Sequence, residues 1–385
     1  MIEQGGRGGV ADYTAELVRA LVGEGWSVTL ATADDHLYPP IEGVVVRPVF
    51  HYLRDGTAIG RAVRRRGLGK AVNGLLFGLA LPRLMLLARR ANTDMVHAQG
   101  WEIPQIGLVA ILCLRLAGAT IVQTSHGTFE RSSTSPRVRR FARLTSARLT
   151  ARTIVHTQAD LARIPSEVRS RAVVIPHGEY GGLARSGGAA ERDASRAALG
   201  IAPQTPVTLV FGQLRADKGL GDVVEALRRL PSLHLLIGGQ DAGGLAPVAA
   251  QLREPGLADR VTLREGFLEM REAAPLFAAT DTVVLPYESA SQSGVLLLAY
   301  GFARPVIVYP SGGLPEAVID GETGWLCSRP DVDALVDALG ASIEAGWPEC
   351  SRRGEAGARL AAERFAWPAI ARRTAELYTQ ALEHV

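Results

Sequence analysis

The chain has 385 residues, 47% of them hydrophobic, a formal net charge of +3 and three cysteines. That length exceeds a usual single hydrophobic core, so we predict two domains of similar size. The small net charge and the lack of an aromatic-interleaved basic motif argue against nucleic acid as a partner. Cys113, Cys327 and Cys350 lack metal-ligand spacing, which indicates structural thiols in a reducing compartment and therefore a cytoplasmic protein.

A glycine-rich loop, Gly5-Gly-Arg-Gly-Gly9, opens the chain and leads into a predicted helix from Val10 to Val22. Backbone amides free of side chains at a helix N-terminus favour phosphate, although glycine clusters also mark ordinary turns. A doubly wound domain normally begins with a strand that feeds such a loop. Because the loop starts so early, we expect the first strand to be missing, through a start set too late, a truncated chain or an unusual sheet.

Helical and strand-like segments then alternate in the rhythm of a parallel sheet, with strands at 27–32, 44–48 and 95–98 and helical material to residue 91. Residues 51–90 contain many basic residues, and Asp55 is the only acidic residue in that stretch of the sequence. The arginine cluster over residues 54–70 suits a peripheral contact with anionic lipid at the inner membrane face, a phosphorylated acceptor, or a merely solvated surface.

The most apolar stretch, residues 71–88, is interrupted by Asn73, Pro82 and Arg83, which argues against a membrane span. A membrane-surface helix stays open as an alternative, because the flanking arginines suit one. We predict that the stretch forms the buried side of a helix pair through Leu75, Leu76, Leu79, Leu84, Leu87 and Ala88.

His126 follows the strand-like run from Thr120 to Gln123 and is expected at the carboxyl end of a parallel strand. There an imidazole donates to a sugar hydroxyl or a carbonyl, or serves as a plain structural residue. Three more histidines fall at similar strand ends without metal-ligand spacing, so no metal site is assigned: His97, His156 and His177.

A second run of strands begins near Arg171 and predicts a second doubly wound sheet, so that the fold class is α/β with two such domains. The Gly- and Ala-rich segment 181–190 is expected to be an exposed connection. The strands of this half are expected at residues 173–175, 207–211, 233–238, 261–265, 282–285 and 306–308.

Lys218 is one of only two lysines among 42 basic residues, and it follows the predicted strand 207–211. Gly212 is the predicted turn and a helix from Leu220 follows, so Arg215 and Lys218 project from a strand-to-helix connection. An ammonium and a forked guanidinium beside a helix N-terminus suit a diphosphate. Two solvated surface cations are the alternative.

Small residues follow the strand 282–285 and precede another predicted helix. The segment Ser293-Gly294-Val295 offers amides and a hydroxyl to an anion there, with an ordinary N-cap at Ser293 as the alternative. The turn Ser311-Gly-Gly-Leu-Pro-Glu316 is predicted to enter a further helix and to carry the Glu316 carboxylate toward the same end of the sheet.

The order of these segments resembles that of the retaining nucleotide-sugar glycosyltransferases of family 4, whose GT-B fold has two facing Rossmann-like domains. The resemblance implies an acceptor-side domain over residues 1–170, a donor domain over residues 171–365 and a helix over residues 366–385 that crosses back to the first domain. It covers nearly the whole chain and rests on Gly8-Gly9, Val96-His-Ala98, Ser125-His-Gly127, Ile175-Pro-His-Gly178, Lys218-Gly219, Gly312-Gly-Leu-Pro-Glu316, Asp320-Gly-Glu-Thr-Gly324 and Phe365-Ala-Trp367.

By this resemblance, the amide of Gly9 and the Arg215/Lys218 pair hold the donor diphosphate, and His126 touches the transferred sugar. Family members often carry arginine directly after the glycine of the lysine loop, where this chain has Gln213. No cofactor or metal is implied, only a nucleoside diphosphate sugar as donor substrate. The remaining donor-binding candidates are Gly8, Gly212, Gln213, Glu288, Ser293, Gly294, Val295 and Glu316, and the nucleotide base is expected beside Gly266, Phe267 and Leu268.

The chain departs from the family at two glutamates separated by seven residues, whose places are taken by Ala290 and Leu298. The lost ribose contact then has to come from Glu288, Ser293 or Glu316. The implied activity is retaining, metal-independent sugar transfer to an unidentified glycan, lipid-linked or natural-product acceptor. Loss of both carboxylates favours, as the alternative, a catalytically silent sugar-nucleotide-binding protein, and a third possibility is an epimerase or phosphorylase of the same fold.

Overall fold

The computed structural model describes residues 1–53, 58–90, 93–101, 104–126, 136–181 and 188–383. Within it the chain divides into two compact units, each with its own sheet and core. Unit 1 comprises Met1–Gly178 and Trp367–Val385, and unit 2 comprises Glu179–Ala366.

The elements alternate along the chain as strand and crossover helix. Unit 1 contains α1 (Gly9–Gly23), β1 (Val28–Ala33), β2 (Val44–Phe50), α2 (Ala58–Arg65), α3 (Gly69–Arg90), β3 (Met95–Ala98), α4 (Pro104–Leu116), β4 (Thr120–Thr124), α5 (Pro136–Leu149), β5 (Arg152–Val155), α6 (Gln158–Arg163), α7 (Ser166–Arg169) and β6 (Ala172–Val174). Unit 2 contains α8 (Ala189–Leu199), β7 (Val207–Phe211), α9 (Leu220–Arg229), β8 (His234–Gly239), β9 (Val261–Glu265), α10 (Met270–Ala279), β10 (Thr282–Leu285), α11 (Gly294–Gly301), β11 (Val306–Val308), β12 (Gly324–Leu326) and α12 (Val332–Arg364), after which α13 (Trp367–Glu383) belongs to unit 1.

The sheet of unit 1 is parallel and is completed by the first residues of the chain. Strand β1 pairs with β2, and the strands β3, β4, β5 and β6 pair in that order. Ile2 forms backbone bridges to both Ala31 and Ala98, with the amide of Ile2 donating to the His97 carbonyl at 2.8 Å. The first strand is therefore reduced to this short bridge rather than absent. The backbone groups of β1 and β3 that a missing strand would leave unpaired are hydrogen-bonded there.

The boundary between the units lies later than the sequence suggested. Strand β6 pairs in parallel with β5, with Thr153 opposite Ala172 and Val155 opposite Val174. Its backbone hydrogen bonds therefore tie residues 172–174 to the first sheet, and the predicted boundary after residue 170 moves to the position after Gly178. Helix α13 packs on α1, where Leu377 and Tyr378 share a core cluster with α1.

The sheet of unit 2 has the strand order β12-β11-β10-β7-β8-β9, with all neighbours parallel. The chain runs outward from β7 to one edge and then outward from β10 to the other. The predicted bounds of β7, β9, β10 and β11 agree with the structure. Residues 314–317, predicted to begin a helix, form a single 3-10 turn instead.

Helix α3 differs from the prediction on its buried face. Leu75 and Leu79 are 66% and 64% exposed, whereas Phe77 and Leu84 are buried against the sheet. The helix is apolar on both sides, so its sequence period does not identify the inner one. By length and composition residues 71–89 could cross a membrane, although the inner face packs into the core of unit 1.

Candidate functional site

The reversal of strand order in unit 2 creates a crevice at the carboxyl ends of β7 and β10. In open parallel sheets, ligands bind at such a switch point, because the two connecting loops leave in opposite directions. Here those loops are residues 212–219 and residues 286–293. The structure thus brings the predicted lysine loop and the predicted serine-glycine segment side by side.

Glycines allow the two loops to approach within van der Waals contact. Gly219 has φ +65°, and a side chain there would overlap the carbonyl oxygen of Pro286. The amide of Glu288 donates to the Asp217 carbonyl at 3.1 Å, which ties the loops together. Gly212, with φ +102°, faces Val295, where a Cβ atom would come within 3.2 Å of the valine methyl. This packing fixes where Lys218 leaves the backbone.

The two cations of the lysine loop are held differently. Lys218 is half-buried, and its Nζ lies 3.3 Å from the ring centroid of Tyr287, a cation–π contact. Arg215 instead donates from two nitrogens to Asp217, at 2.8 and 2.9 Å. The Nε and Nη2 side of its guanidinium is therefore occupied by a carboxylate, and the Nη1 side, 3.5 Å from Gln213 Oε1, is the side that can meet a diphosphate.

The start of α11 presents amides beside these cations. Ser293 is the N-cap, and its hydroxyl accepts from the Leu296 amide at 3.3 Å, so the structural alternative for this serine holds. Gly294 and Val295 are the first two helical residues, and their amides have no acceptor within the helix. Among the described residues, the buried Gln292 Oε1 also lacks a hydrogen-bond partner. The two amides favour an anionic ligand at this point, whereas the Gln292 oxygen can only accept a hydrogen bond, as from a ligand hydroxyl.

The predicted base segment borders the same edge of the sheet. The amide of Gly266 donates to the Gly239 carbonyl at 3.0 Å, and Gly239 in turn leaves no room for a side chain against Gly212. Phe267 is 54% exposed beside them. Leu268 lies close to Gly238, where an added side chain would contact the leucine.

The acidic candidates and the two positions that replace the family glutamates differ in exposure. Glu288 is exposed, and its carbonyl accepts from the Ser311 hydroxyl at 3.1 Å, while Glu316 is half-buried in the 3-10 turn. Ala290 and Leu298 are buried in the apolar core of unit 2, at 5% and 8% exposure. Neither of these two positions therefore offers a polar group to the crevice.

In unit 1, a buried carboxylate shapes the glycine loop. Glu3 accepts the amides of Gly5 and Gly6, both at 2.7 Å, and the Tyr38 hydroxyl at 2.9 Å. Those two amides are consequently committed to the protein. Gly8 has φ +78°, and Gly9 opens α1 with an amide that has no acceptor within the helix. Only the second half of the loop fits the predicted phosphate contact.

His126 lies in a cluster of rings at the carboxyl ends of neighbouring strands. Tyr13 of α1 contacts it with a centroid distance of 4.8 Å, and the same tyrosine contacts His156 at 5.3 Å and His177 at 4.9 Å. His97, by contrast, bonds Thr124 at 2.7 Å within the sheet core. Helix α1 therefore carries both the predicted phosphate amide and the ring against which His126 packs.

Proton placement in this cluster follows from its hydrogen bonds. Burial lowers the pKa of His126 well below its usual value, and neighbouring His156 lowers it further, so the ring is neutral. His156 Nδ1 donates to the Ile175 carbonyl at 3.0 Å, so its Nε2 accepts from His126 Nδ1 at 3.3 Å. His126 Nε2 is then an acceptor. The Gln99 Oε1 lies 2.9 Å from it, and since two acceptors do not bond each other, this pairing requires the Gln99 amide group to be flipped so that its NH2 donates.

Both ring nitrogens of His126 are thus bonded within the protein. A sugar contact through this ring requires one of these partners to be exchanged, which the sequence did not indicate. Among the described residues, no group of three histidine, cysteine, aspartate or glutamate side chains could hold a metal ion.

Several residues that shape the two sites were missed by sequence reasoning. Asp217, Tyr287 and Gln292 lie in the loops 212–219 and 286–293 but carry no motif signal of their own. Glu3 and Tyr13 act through partners that are distant in sequence or on another element, so local pattern does not mark them.

Comparison with known proteins identifies the family. The model for Glycosyltransferase Family 4 matches residues 7–178, and that for Glycosyl transferases group 1 matches residues 205–378. D-inositol 3-phosphate glycosyltransferase of Mycolicibacterium paratuberculosis is 34% identical over 187 residues, 46% of this chain and 41% of that protein. The match thus spans less than half the length of this relative. The enzyme of the same name from Streptomyces scabiei is 28% identical over 405 residues, which covers 98% of this chain and 87% of that protein.

Solved structures share the fold over nearly the whole chain. Anabaena HepE, in complex with UDP and glucose, superposes with a TM-score of 0.76 at 18% identity and 98% coverage of both chains. Sucrose-phosphate synthase from Thermosynechococcus elongatus gives 0.75 at 22% identity, covering 100% of this chain and 96% of that one. Because the two family models match both units and the fold agrees, the chain belongs to the family 4 glycosyltransferases of the GT-B fold.

Proposed function

We propose that the protein transfers a sugar from a nucleoside diphosphate sugar to an acceptor, with retention of anomeric configuration and without an essential metal. The observation that carries the proposal is the switch-point crevice of unit 2. There, Lys218 contacts the ring of Tyr287, in the loop that leads to Gly294 and Val295 at the start of α11. A flexible ammonium and free helix amides suit the donor diphosphate, whose charge they offset.

The chemistry assigned to these groups is stabilisation of the leaving group. As the bond between the sugar C1 and the diphosphate oxygen breaks, negative charge accumulates on the diphosphate, where Lys218 and the helix amides would lower its energy. The acceptor oxygen would bond to C1 on the face that the diphosphate leaves, and its proton would pass to a phosphate oxygen. With alanine at position 290, a front-face ion-pair route is the simplest. A trapped glycosyl-enzyme adduct would overturn it.

Unit 1 is assigned the acceptor side, and within it the Gly8-Gly9 turn is assigned to a phosphate contact and His126 to a sugar contact. The acceptor itself is left as a glycan, a lipid-linked molecule or a natural product. The relatives named D-inositol 3-phosphate glycosyltransferase support a phosphorylated acceptor. The free thiols of Cys327 and Cys350 support a cytoplasmic location. Peripheral contact with an anionic membrane through the 54–70 cluster completes the proposal.

The donor is tested first by thermal shift with UDP, GDP, dTDP and ADP and their sugars, on wild type and Lys218→Ala. UDP heads the panel, because the related fold of HepE is seen with UDP. Stabilisation by one nucleotide that disappears in the variant supports the donor site. If no nucleotide shifts the melting temperature, the transferase proposal fails. Turnover in EDTA and the anomeric coupling of the product by NMR then test metal independence and retention.

A catalytically silent nucleotide-sugar-binding protein is the second candidate. It is favoured by the burial of Ala290 and Leu298 in the apolar core, where neither supplies a polar contact. This candidate predicts the same nucleotide-dependent thermal shift, but neither transfer to any member of a broad acceptor panel nor hydrolysis of the donor. Transfer to any acceptor rules it out.

A further inference from the structure

Helix α3 presents two opposite apolar faces. Phe77 and Leu84 point into the core of unit 1, while Leu75, Leu79 and Leu86 are 66%, 64% and 45% exposed. At 3.6 residues per turn, the three exposed leucines fall within about 40° of one another, on the side opposite the buried pair. A surface helix of a soluble domain normally carries polar residues on that side, so this leucine stripe calls for a partner.

The neighbouring helices continue the apolar surface. Helix α3 contacts α4, and a side chain at Gly74 would lie 3.8 Å from Ile106. Both helices bury their inner faces in one core cluster on the same side of the sheet, so their outer faces share one layer. Most of the exposed large hydrophobic side chains among the described residues belong to this layer: Leu68, Leu75, Leu79, Leu86, Val109, Leu112, Leu116 and Phe141.

The charge of the same layer is of one sign. Residues 58–90, 104–116 and 136–149, which hold α2, α3, α4 and α5, contain 14 arginine and lysine residues and no aspartate or glutamate. The whole chain has 42 basic and 39 acidic residues, so everything outside these segments carries a net charge of −11. The side chains of Arg65, Arg66 and Arg83 are exposed. A positive field of this kind is complementary to anionic lipid headgroups.

We propose that this layer docks on an anionic bilayer, with α3 lying flat and the leucine stripe entering the headgroup boundary. Nucleic acid would neutralise the arginines but leave the leucines exposed to water. A second copy of the chain would bring two positively charged surfaces together. An anionic membrane satisfies both features at once, since its surface attracts the cations and its acyl region accepts the leucines. The inference rests on the proposed peripheral contact, but not on sugar transfer.

Vesicle flotation with the full-length chain tests the docking surface. Vesicles of phosphatidylcholine alone and with about one third phosphatidylglycerol are compared at low and high salt, because screening weakens the attraction between surface charges. The wild type should float with the anionic vesicles at low salt only. Leu75→Gln/Leu79→Gln/Leu86→Gln should lower the partition coefficient by about tenfold or more, since each exposed leucine contributes apolar area to binding.

Charge reversal of Arg65, Arg66 and Arg83 to glutamate should give a similar loss of vesicle binding. The matched controls lie in other parts of the chain. Val45→Thr/Ile319→Thr alters exposed apolar residues, and Arg253→Glu/Arg271→Glu/Arg359→Glu reverses exposed charges of unit 2. Both should bind vesicles like the wild type.

Every variant is also melted with and without UDP, so that a failure of nucleotide binding is recognised separately from a failure of docking. Equal binding by the leucine variant and the wild type would overturn the proposal. The proposal also fails if wild-type protein does not bind vesicles. It fails too if the wild type and the leucine variant bind an RNA oligonucleotide equally and more tightly than vesicles, or if the wild type is a dimer and the leucine variant a monomer.

Discussion

Replacement of Lys218 by methionine should weaken nucleoside diphosphate binding selectively. Methionine preserves the apolar stem over the Tyr287 ring and removes the ammonium, whose Nζ lies 3.3 Å from that ring. A hydrogen bond to a charged group contributes about 1.5–3 kcal/mol. Because Lys218 is half-buried and partly screened, we expect about 2 kcal/mol, which is about a 30-fold increase in Kd.

The assay is isothermal titration with UDP and with uridine, or with the corresponding pair if another base is selected. Since the lysine acts on the diphosphate alone, the affinity for the nucleoside should not change. Lys70→Met is the matched control, because it removes the only other lysine of the chain, from unit 1. Unchanged UDP affinity in Lys218→Met, or an equal loss for uridine, would refute the assignment of Lys218 to the diphosphate.

Three further outcomes follow from the geometry. Arg215→Ala should weaken UDP binding less than loss of the lysine does, because its fork is already held by a neighbouring carboxylate; the same titration decides. Gly219→Ala should abolish the UDP-dependent thermal shift, since its Cβ would overlap a backbone oxygen, whereas Gly221→Ala, with open space around it, should preserve the shift. Burial lowers the pKa of both His97 and His177 to about 3, so stability is fully present above about pH 6.5 and falls as the unfolded chain takes up protons. Chemical unfolding should show a loss of about 1.4 kcal/mol for each of these two histidines between pH 7.5 and 5.5, and a flat profile would contradict their neutral burial.

Continuous apolar runs made the second sheet predictable. Val207–Phe211 and Thr282–Leu285 are buried on both faces, so they read as unbroken hydrophobic segments bounded by turn residues. Strands β5 and β12 were missed, because four residues beginning at Arg152 and three beginning at Gly324 are too short to show a period. The pairing of β6 with β5 depends on contacts that no local pattern records, which is why the first domain boundary was misplaced.

The loops of the candidate site were predictable, but the partners of their side chains were not. Glycines followed by helix-forming segments marked the turns, since positive φ and close approach require them. The fork between Arg215 and Asp217 depends on rotamers, and the packing of Tyr13 on His126 depends on the position of α1 over the sheet. Whether a cation is available to a ligand is therefore a property of the folded loop rather than of the motif.

The replacement of the two family glutamates changes packing as well as polarity. Ala290 and Leu298 belong to the main core cluster of unit 2, and the turn at Gly312 lies so close that a side chain there would overlap the Ala290 carbonyl. A carboxylate at either position would replace an apolar side chain of this cluster, and its burial has a desolvation cost of several kcal/mol that a cationic partner would have to offset. A ribose contact, if made by a carboxylate of this segment, falls to the exposed Glu288.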